Sequence, residues 1–209
     1  MLDGARELFV TEGYAATTME RIAEEAGVAV QTLYYTFQTK GKLLCEVVEV
    51  TAAGEEDPVP VAQRPWMQEM LTASSGQRVL ALGVEHGTDI FERVAPLWPV
   101  VSAATADPRV VQYWRGVAAS RRVGQGRIVA RLDELGALRD GLDLDRATDL
   151  VVVLFGHDVF RSLVVEAGWS VPAYKAWLFP ALVQQLLQRP RLAPTAFADL
   201  SFGPLLVKT

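Results

Sequence analysis

Within six consecutive residues, Gln31, Thr32, Tyr34, Tyr35 and Thr36 gather an amide, two hydroxyls and two phenols. Such groups suit base edges and phosphate oxygens. For them to face outward together they must ride on a short helix whose inner side is Val30, Leu33 and Phe37. Just upstream, Thr17 and Glu20 are three apart, the spacing of a capping box, with Thr17 as the expected cap. Met19, Ile22, Ala23 and Ala26 then repeat at helical spacing until Gly27, which can adopt the left-handed turn, and Val28 is expected to plug the corner against Ile22. Two short helices joined by a glycine turn, the second with a polar outer edge, predict a helix-turn-helix that binds DNA. A compact three-helix bundle without a partner is the plainer alternative. It leaves an exposed pair of tyrosines without a reason.

Other candidate chemistry weighs less. Gly124 and Gly126 make a partial G-x-G, but an arginine-rich helical stretch, YWRGVAASRR, precedes them where a dinucleotide site needs a strand. His86 and Asp89 are three apart on a helix, and His157 and Asp158 are adjacent, yet two histidines and one cysteine are few for a closed metal site. A histidine hydrogen-bonded in a pocket or core is the better reading. No serine sits in a nucleophile elbow, so the expectation is no enzyme, no catalytic residues, no metal and no cofactor.

Past residue 60 aromatic side chains are plentiful. Phe91, Trp98, Tyr113, Trp114 and Phe160 are taken as candidate walls of a small-molecule pocket, with Arg121 and His157 as its polar groups. Trp98 stands between Pro96 and Pro99, where a broken helix cannot pack as a continuous rod. Arg121 lies seven residues from Trp114 on one helix and so looks inward, where an acidic effector would want it.

The 209 residues are half apolar, enough to bury a core. A single cysteine, Cys45, precludes an internal disulfide and predicts a buried thiol. No basic-then-apolar leader or membrane-length apolar run is evident, so a cytoplasmic, non-membrane protein is expected. Net charge is −5. From Met1 to Glu49 the cations Arg6, Arg21, Lys40 and Lys42 face Asp3, Glu7, Glu12, Glu20, Glu24, Glu25, Glu46 and Glu49, four against eight. That balance opposes phosphate binding.

The block from Leu8 to Leu44 resembles the tetracycline-repressor (TetR) family of bacterial regulators. The resemblance rests on LF at 8 and 9, GY at 13 and 14, TT at 17 and 18, IA at 22 and 23, AGV at 26 to 28, TLYYTF at 32 to 37, and Lys40 followed by LL at 43 and 44. It covers about a fifth of the chain. It implies a ligand-responsive regulator, more often a repressor, that binds a pseudo-palindromic double-stranded operator as a homodimer and is released by a small apolar or amphipathic effector. Gln31, Thr32, Tyr34 and Tyr35 would then read or position DNA, with Thr18, Thr36 and Lys40 on phosphates. Ala29 and Val30 stand where relatives often carry polar residues. Relatives also often carry a basic arm ahead of the first helix, so either one precedes Met1 or affinity rests on helix N-termini, hydroxyls and few cations.

The expected architecture is all-α: a three-helix N-terminal domain with a connecting helix (1–53), a larger helical effector and dimerisation domain (54–188), and a proline-containing tail (189–209) that is weakly ordered or strapped to the surface. The helices are expected near 2–11, 17–26, 30–37, 40–53, 65–73, 76–94, 107–135, 144–167 and 172–188, with a segment over 100–106, the stretch 54–65 as the boundary, and a kink at Pro180. The last two helices, about 144–188, are apolar nearly all round, which predicts that they pair with their copies in a second subunit. An effector is expected between the Gly76, Asp107 and Leu144 helices. The rival reading is a helical small-molecule-binding protein with weak or no DNA binding.

Overall fold

The computed structural model describes residues 1–54 and 63–188. Most of the expected boundary stretch, 55–62, and the whole of the 189–209 tail lie outside the described residues. Among those described, the chain is helical from end to end: α1 (Leu2–Ala16), α2 (Met19–Glu25), α3 (Val30–Phe37), α4 (Lys40–Ala53), α5 (Pro65–Thr72), α6 (Gly76–Val94), a 3-10 turn (Ala95–Leu97), α7 (Trp98–Ala103), α8 (Pro108–Glu134), α9 (Leu144–Leu154), α10 (His157–Phe160), a π-helical turn (Arg161–Glu166) and α11 (Val171–Leu186). One isolated antiparallel bridge joins Leu138 to Leu187. None of these helices is long and apolar enough to cross a membrane.

The first four helices form a small bundle. Ala5, Leu8 and Phe9 of α1 are buried against Ile22, Leu33, Phe37, Leu43 and Leu44, the apolar positions that helical spacing brings to one side of each rod. Instead of stopping at Thr11, α1 is broken at Gly13, whose φ of +82° suits glycine, and continues one turn to Ala16. Gly27 carries φ +65°, and the amides of Gly27 and Val28 bond the carbonyls of Glu24 and Ala23. This pair of bonds closes α2 and aims α3 away from it.

Beyond the bundle, α6 runs beside α4, α5, α8 and α11, and α8 beside α4, α5, α6 and α9. Pro96 and Pro99 lie in the first turns of the 3-10 turn and of α7, where no N–H is needed. They start helices and do not merely break one, so the expected 100–106 segment is α7, displaced to Trp98–Ala103.

The single helix expected over 144–167 is corrected to two pieces. α9 ends at Phe155, with φ −98° and ψ 50°, and the chain restarts at Gly156 as α10. The Phe155 ring fills the space where Gly87 of α6 lacks a side chain, and any Cβ on Gly87 would collide with it. The carbonyls freed at the break are met by Gln125 Nε2 on Phe155 O at 3.3 Å and Arg121 Nη2 on Val152 O at 3.5 Å. Pro180 lies inside α11.

Candidate functional site

Two regions bring together the residues singled out by the sequence. In the first, Leu33 and Phe37 anchor α3 to the bundle and Val30 is half-buried, which leaves Gln31, Thr32, Tyr34, Tyr35 and Thr36 in solvent. Tyr35 is 90% exposed, extreme for so large a ring. Its neighbour Tyr34 makes a long contact through its hydroxyl, at 3.5 Å, to Glu20 of α2. The Thr36 hydroxyl donates to Thr32 O at 2.9 Å and keeps its lone pairs for other donors. The rim is therefore rigid in backbone and open in its side chains.

Two expectations at this end are corrected. Thr18, not Thr17, caps α2, accepting from Arg21 N at 3.1 Å, so no Thr17–Glu20 capping box forms. Thr17 is buried. Its hydroxyl donates to Gly13 O at 2.8 Å and to Leu8 O at 3.2 Å. These bonds tie the residue after α1 back onto the helix on both sides of the Gly13 break. Thr18 remains exposed. Lys40, expected on a phosphate, turns inward. Its ammonium donates to Tyr14 O at 2.6 Å and to Thr17 O at 2.8 Å. It also sits 4.3 Å from the centre of the Tyr14 ring, a cation over an aromatic face. Burial lowers its pKa, because a desolvated ammonium gives up its proton more readily. Arg21 is likewise engaged, 3.0 Å from Glu24 and 3.8 Å from both Glu12 and Glu25.

Tyr14 also reaches across to α8. Its hydroxyl donates to Asp107 Oδ2 at 2.8 Å. The other oxygen, Asp107 Oδ1, accepts from Arg109 N at 2.9 Å. One carboxylate therefore caps α8 and holds α1. Burial, then the bond to Asp107, raises the Tyr14 pKa, and the phenol stays protonated. Asp107 lies over Gly41 of α4, where a Cβ would strike the carboxylate. Sequence reasoning missed this junction. GY at 13 and 14 was visible, but nothing local announces a partner 93 residues away.

The second region is a cavity of about 400 Å³ between α7, α8 and α10, lined by Trp98, Val101, Ser102, Thr105, Val110, Val111, Trp114, Arg115, Ala118, His157, Asp158 and Arg161. It opens elsewhere than expected: α6 contributes a floor and not a wall. Phe91 of α6 lies under Trp98 and Phe160, with ring centres 6.2 and 5.8 Å away. Trp98 and Trp114 flank His157 at 5.6 and 5.9 Å. Arg121 reaches His157 at 3.0 Å and lies 5.9 Å from the centre of the Phe91 ring.

Of the seven pocket candidates, Trp98, Trp114 and His157 line the cavity, and Phe91, Arg121 and Phe160 form the layer behind it. Tyr113 is the exception. It faces a separate crevice of about 340 Å³ between α4 and α8, with Lys42, Cys45, Glu46, Glu49, Arg109 and Gln112. Cys45 is half-buried there. Burial followed by the field of Glu49 pushes its thiol up to about 11, so it is not a thiolate near neutrality.

The polar groups around the cavity set one another's protons. A guanidinium only donates, so His157 Nδ1 accepts from Arg121. The ring proton then sits on Nε2, and that nitrogen lies 3.2 Å from Asp158 Oδ1. Burial, followed by the nearby arginines, lowers the His157 pKa against the pull of Asp158. Behind the rings, Tyr174 OH, Thr88 Oγ1 and Gln125 Oε1 are buried without a hydrogen-bond partner among the described residues. His86 stacks on Trp66 at 4.9 Å, and Asp89 takes the Lys175 ammonium at 2.8 Å. Among the described residues no three His, Cys, Asp or Glu side chains are grouped to hold a metal ion.

Residues 1–47 match the family described as bacterial regulatory proteins, tetR family. The chain is 23% identical over 184 residues to the uncharacterized HTH-type transcriptional regulator YvkB of Bacillus subtilis (strain 168), covering 84% of this chain and 88% of the relative. Its fold is similar to that of the transcriptional regulator FadR from Bacillus subtilis, solved with stearoyl-CoA, with TM-score 0.69 at 17% identity over 87% of this chain and 95% of that one. It is also similar to SmeT, the repressor of the Stenotrophomonas maltophilia multidrug efflux pump SmeDEF, with TM-score 0.68 at 20% identity over 93% and 92% of the two chains.

Proposed function

We propose that this chain, which belongs to the tetR family of bacterial regulatory proteins and is a transcriptional regulator, is a ligand-released repressor that binds a pseudo-palindromic operator as a cytoplasmic homodimer. The observation that carries the reading is the outer rim of α3, five polar or phenolic side chains left in solvent by a helix otherwise fixed by Leu33 and Phe37. On this reading Gln31, Thr32, Tyr34 and Tyr35 meet bases in the major groove, and Thr18 and Thr36 meet phosphates. Lys40 acts one step removed, by holding the turn that carries Thr17 and Thr18.

The dimer forms through α9, α10 and α11. Val153 of α9 and Val165 of the π-helical turn stay 64% and 57% exposed in the single chain, and Trp169, just before α11, 37%, beside half-buried Leu150, Trp177, Phe179 and Val183 of α9 and α11. Apolar surface of this extent on consecutive helices suits an isologous interface. An effector in the cavity displaces α8 through Val110, Val111 and Trp114, and the Asp107 cap passes that movement to Tyr14 and to α4 at Gly41. Release requires the effector to prefer the spacing of α3 helices that misses successive major grooves.

Changing Tyr35 to Ala should weaken operator binding by about tenfold, the loss of one good base contact, without changing dimer mass. Unaltered binding in a gel shift at fixed salt would remove α3 from the interface. The rival reading, a ligand-binding protein that does not use DNA, is favoured by one observation: with Arg21 and Lys40 engaged internally, Arg6 and Lys42 are the cations left among residues 1–49. The absence of any salt-dependent gel shift with genomic DNA would support it.

A further inference from the structure

The effector pocket just proposed has a charge preference written into its lining, and the inference drawn from it rests on that reading. The lining holds two arginines, Arg115 and Arg161, and one carboxylate, Asp158. Asp158 is already committed: its Oδ1 takes the His157 Nε2 proton at 3.2 Å and lies 3.9 Å from Arg161. Arg161 in turn reaches Glu166 at 3.2 Å. Arg115 has no acidic or hydrogen-bonding partner among the described residues. Behind the lining stands a further cation, Arg121, whose contacts are His157, Val152 O and the Phe91 ring; it makes no direct ion pair among the described residues and feels Asp158 only through its field. The walls that face this charge are Trp98, Trp114 and valines.

Two indoles and an aspartate would also make a cage for a quaternary or primary amine. Electrostatics decide against it. A cationic ligand would meet the unpaired Arg115 and the second lining guanidinium, Arg161, against a single aspartate whose Oδ1 is already shared by His157 and Arg161. An anion would meet Arg115 unpaired and the hydroxyls of Ser102 and Thr105, which make no hydrogen bond to described residues.

We infer that the cavity takes an amphipathic carboxylic acid, its planar apolar body against the wall that holds Trp98, Trp114 and the valines and its carboxylate on Arg115. A guanidinium matches a carboxylate with two parallel N–H donors, which an ammonium does not. A volume of about 400 Å³ suits a body of one or two fused rings.

The test is calorimetric titration of the full-length protein with three probes of one shape: naphthoic acid, naphthamide and naphthylmethylamine. The acid should bind at least about tenfold tighter than the amide, the size of one charge-assisted hydrogen bond, and the amine weakest. Arg115→Gln should erase the acid's advantage while leaving the amide's affinity in place, and Arg115→Lys should restore part of it. Equal binding of acid and amide, a preference for the amine, an unchanged preference in Arg115→Gln, or no binding of any probe would each overturn the assignment. Operator release by naphthoic acid is scored separately by gel shift. Acid-selective binding without release would leave the charge assignment standing and take the effector role from the pocket.

Discussion

On α3 five polar or phenolic side chains stand in solvent with almost nothing to bind, whereas around α10 polar groups are drawn in among aromatic rings and tied to one another. The difference follows from what each region rests on. α3 has one buried side, held by Leu33 and Phe37, and its outer side faces nothing within the chain. α10 sits on a helix break, and the carbonyls freed there recruit Arg121 and Gln125, the first of which in turn fixes His157. A rim of that first kind is ready for a partner to dock without rearrangement. A network of the second kind ties His157, Arg121 and Asp158 to the helices around the break, so a ligand that docks beside it pushes on those helices. If the proposed function holds, recognition and response call for opposite treatment of polar side chains within one fold.

The sharpest way to break the contrast is within α3 itself. Leu33→Ala should cost about 2–5 kcal/mol of stability in urea unfolding, as a buried leucine truncation does, while Tyr35→Ala nearby should stay within about 0.5 kcal/mol. Similar losses from both would mean that Tyr35 packs in solution and the rim is not free.

A smaller effect joins the two regions. Tyr14→Phe removes the hydroxyl that bonds Asp107 and should cost about 1 kcal/mol. A double-mutant cycle with Asp107→Asn should show that the two changes are not additive. Additive losses would uncouple α8 from the N-terminal bundle.

The smallest is a pH dependence confined to the second region. Unfolded His157 takes up its proton near its ordinary value of 6.5, and folded His157 does so only at lower pH, because burial disfavours the charged ring. Between those two values the unfolded state holds more protons, so stability falls as pH drops below about 6.5. His157→Gln should flatten that part of the profile. An unchanged slope would show that His157 is not held neutral.

Much of this was legible in the sequence where the determinant is local. The α3 rim, the Gly27 turn and the ends of α4 and α6 all follow from spacing, caps and glycine within a few residues. What escaped depends on distant partners. Lys40 reads as a phosphate ligand until the break at Gly13 presents two carbonyls to it. The helix over 144–167 reads as continuous until Phe155 meets the side-chain-free Gly87. Phe91, Arg121, His157 and Phe160 do lie together, since aromatic supply and an inward arginine are local signals. Tyr113, next to Trp114, faces the other way because adjacent residues on a helix diverge by about 100°.

The account turns on α3 entering the major groove twice. Protection of guanine N7 from methylation, mapped along an operator fragment bound by the full-length protein, reads the major groove directly. The account predicts two protected patches on one face of the duplex, about 34–36 Å apart, both lost with Tyr34→Ala and Tyr35→Ala together. Binding that protects no guanine N7, or a pattern unmoved by those substitutions, would contradict it.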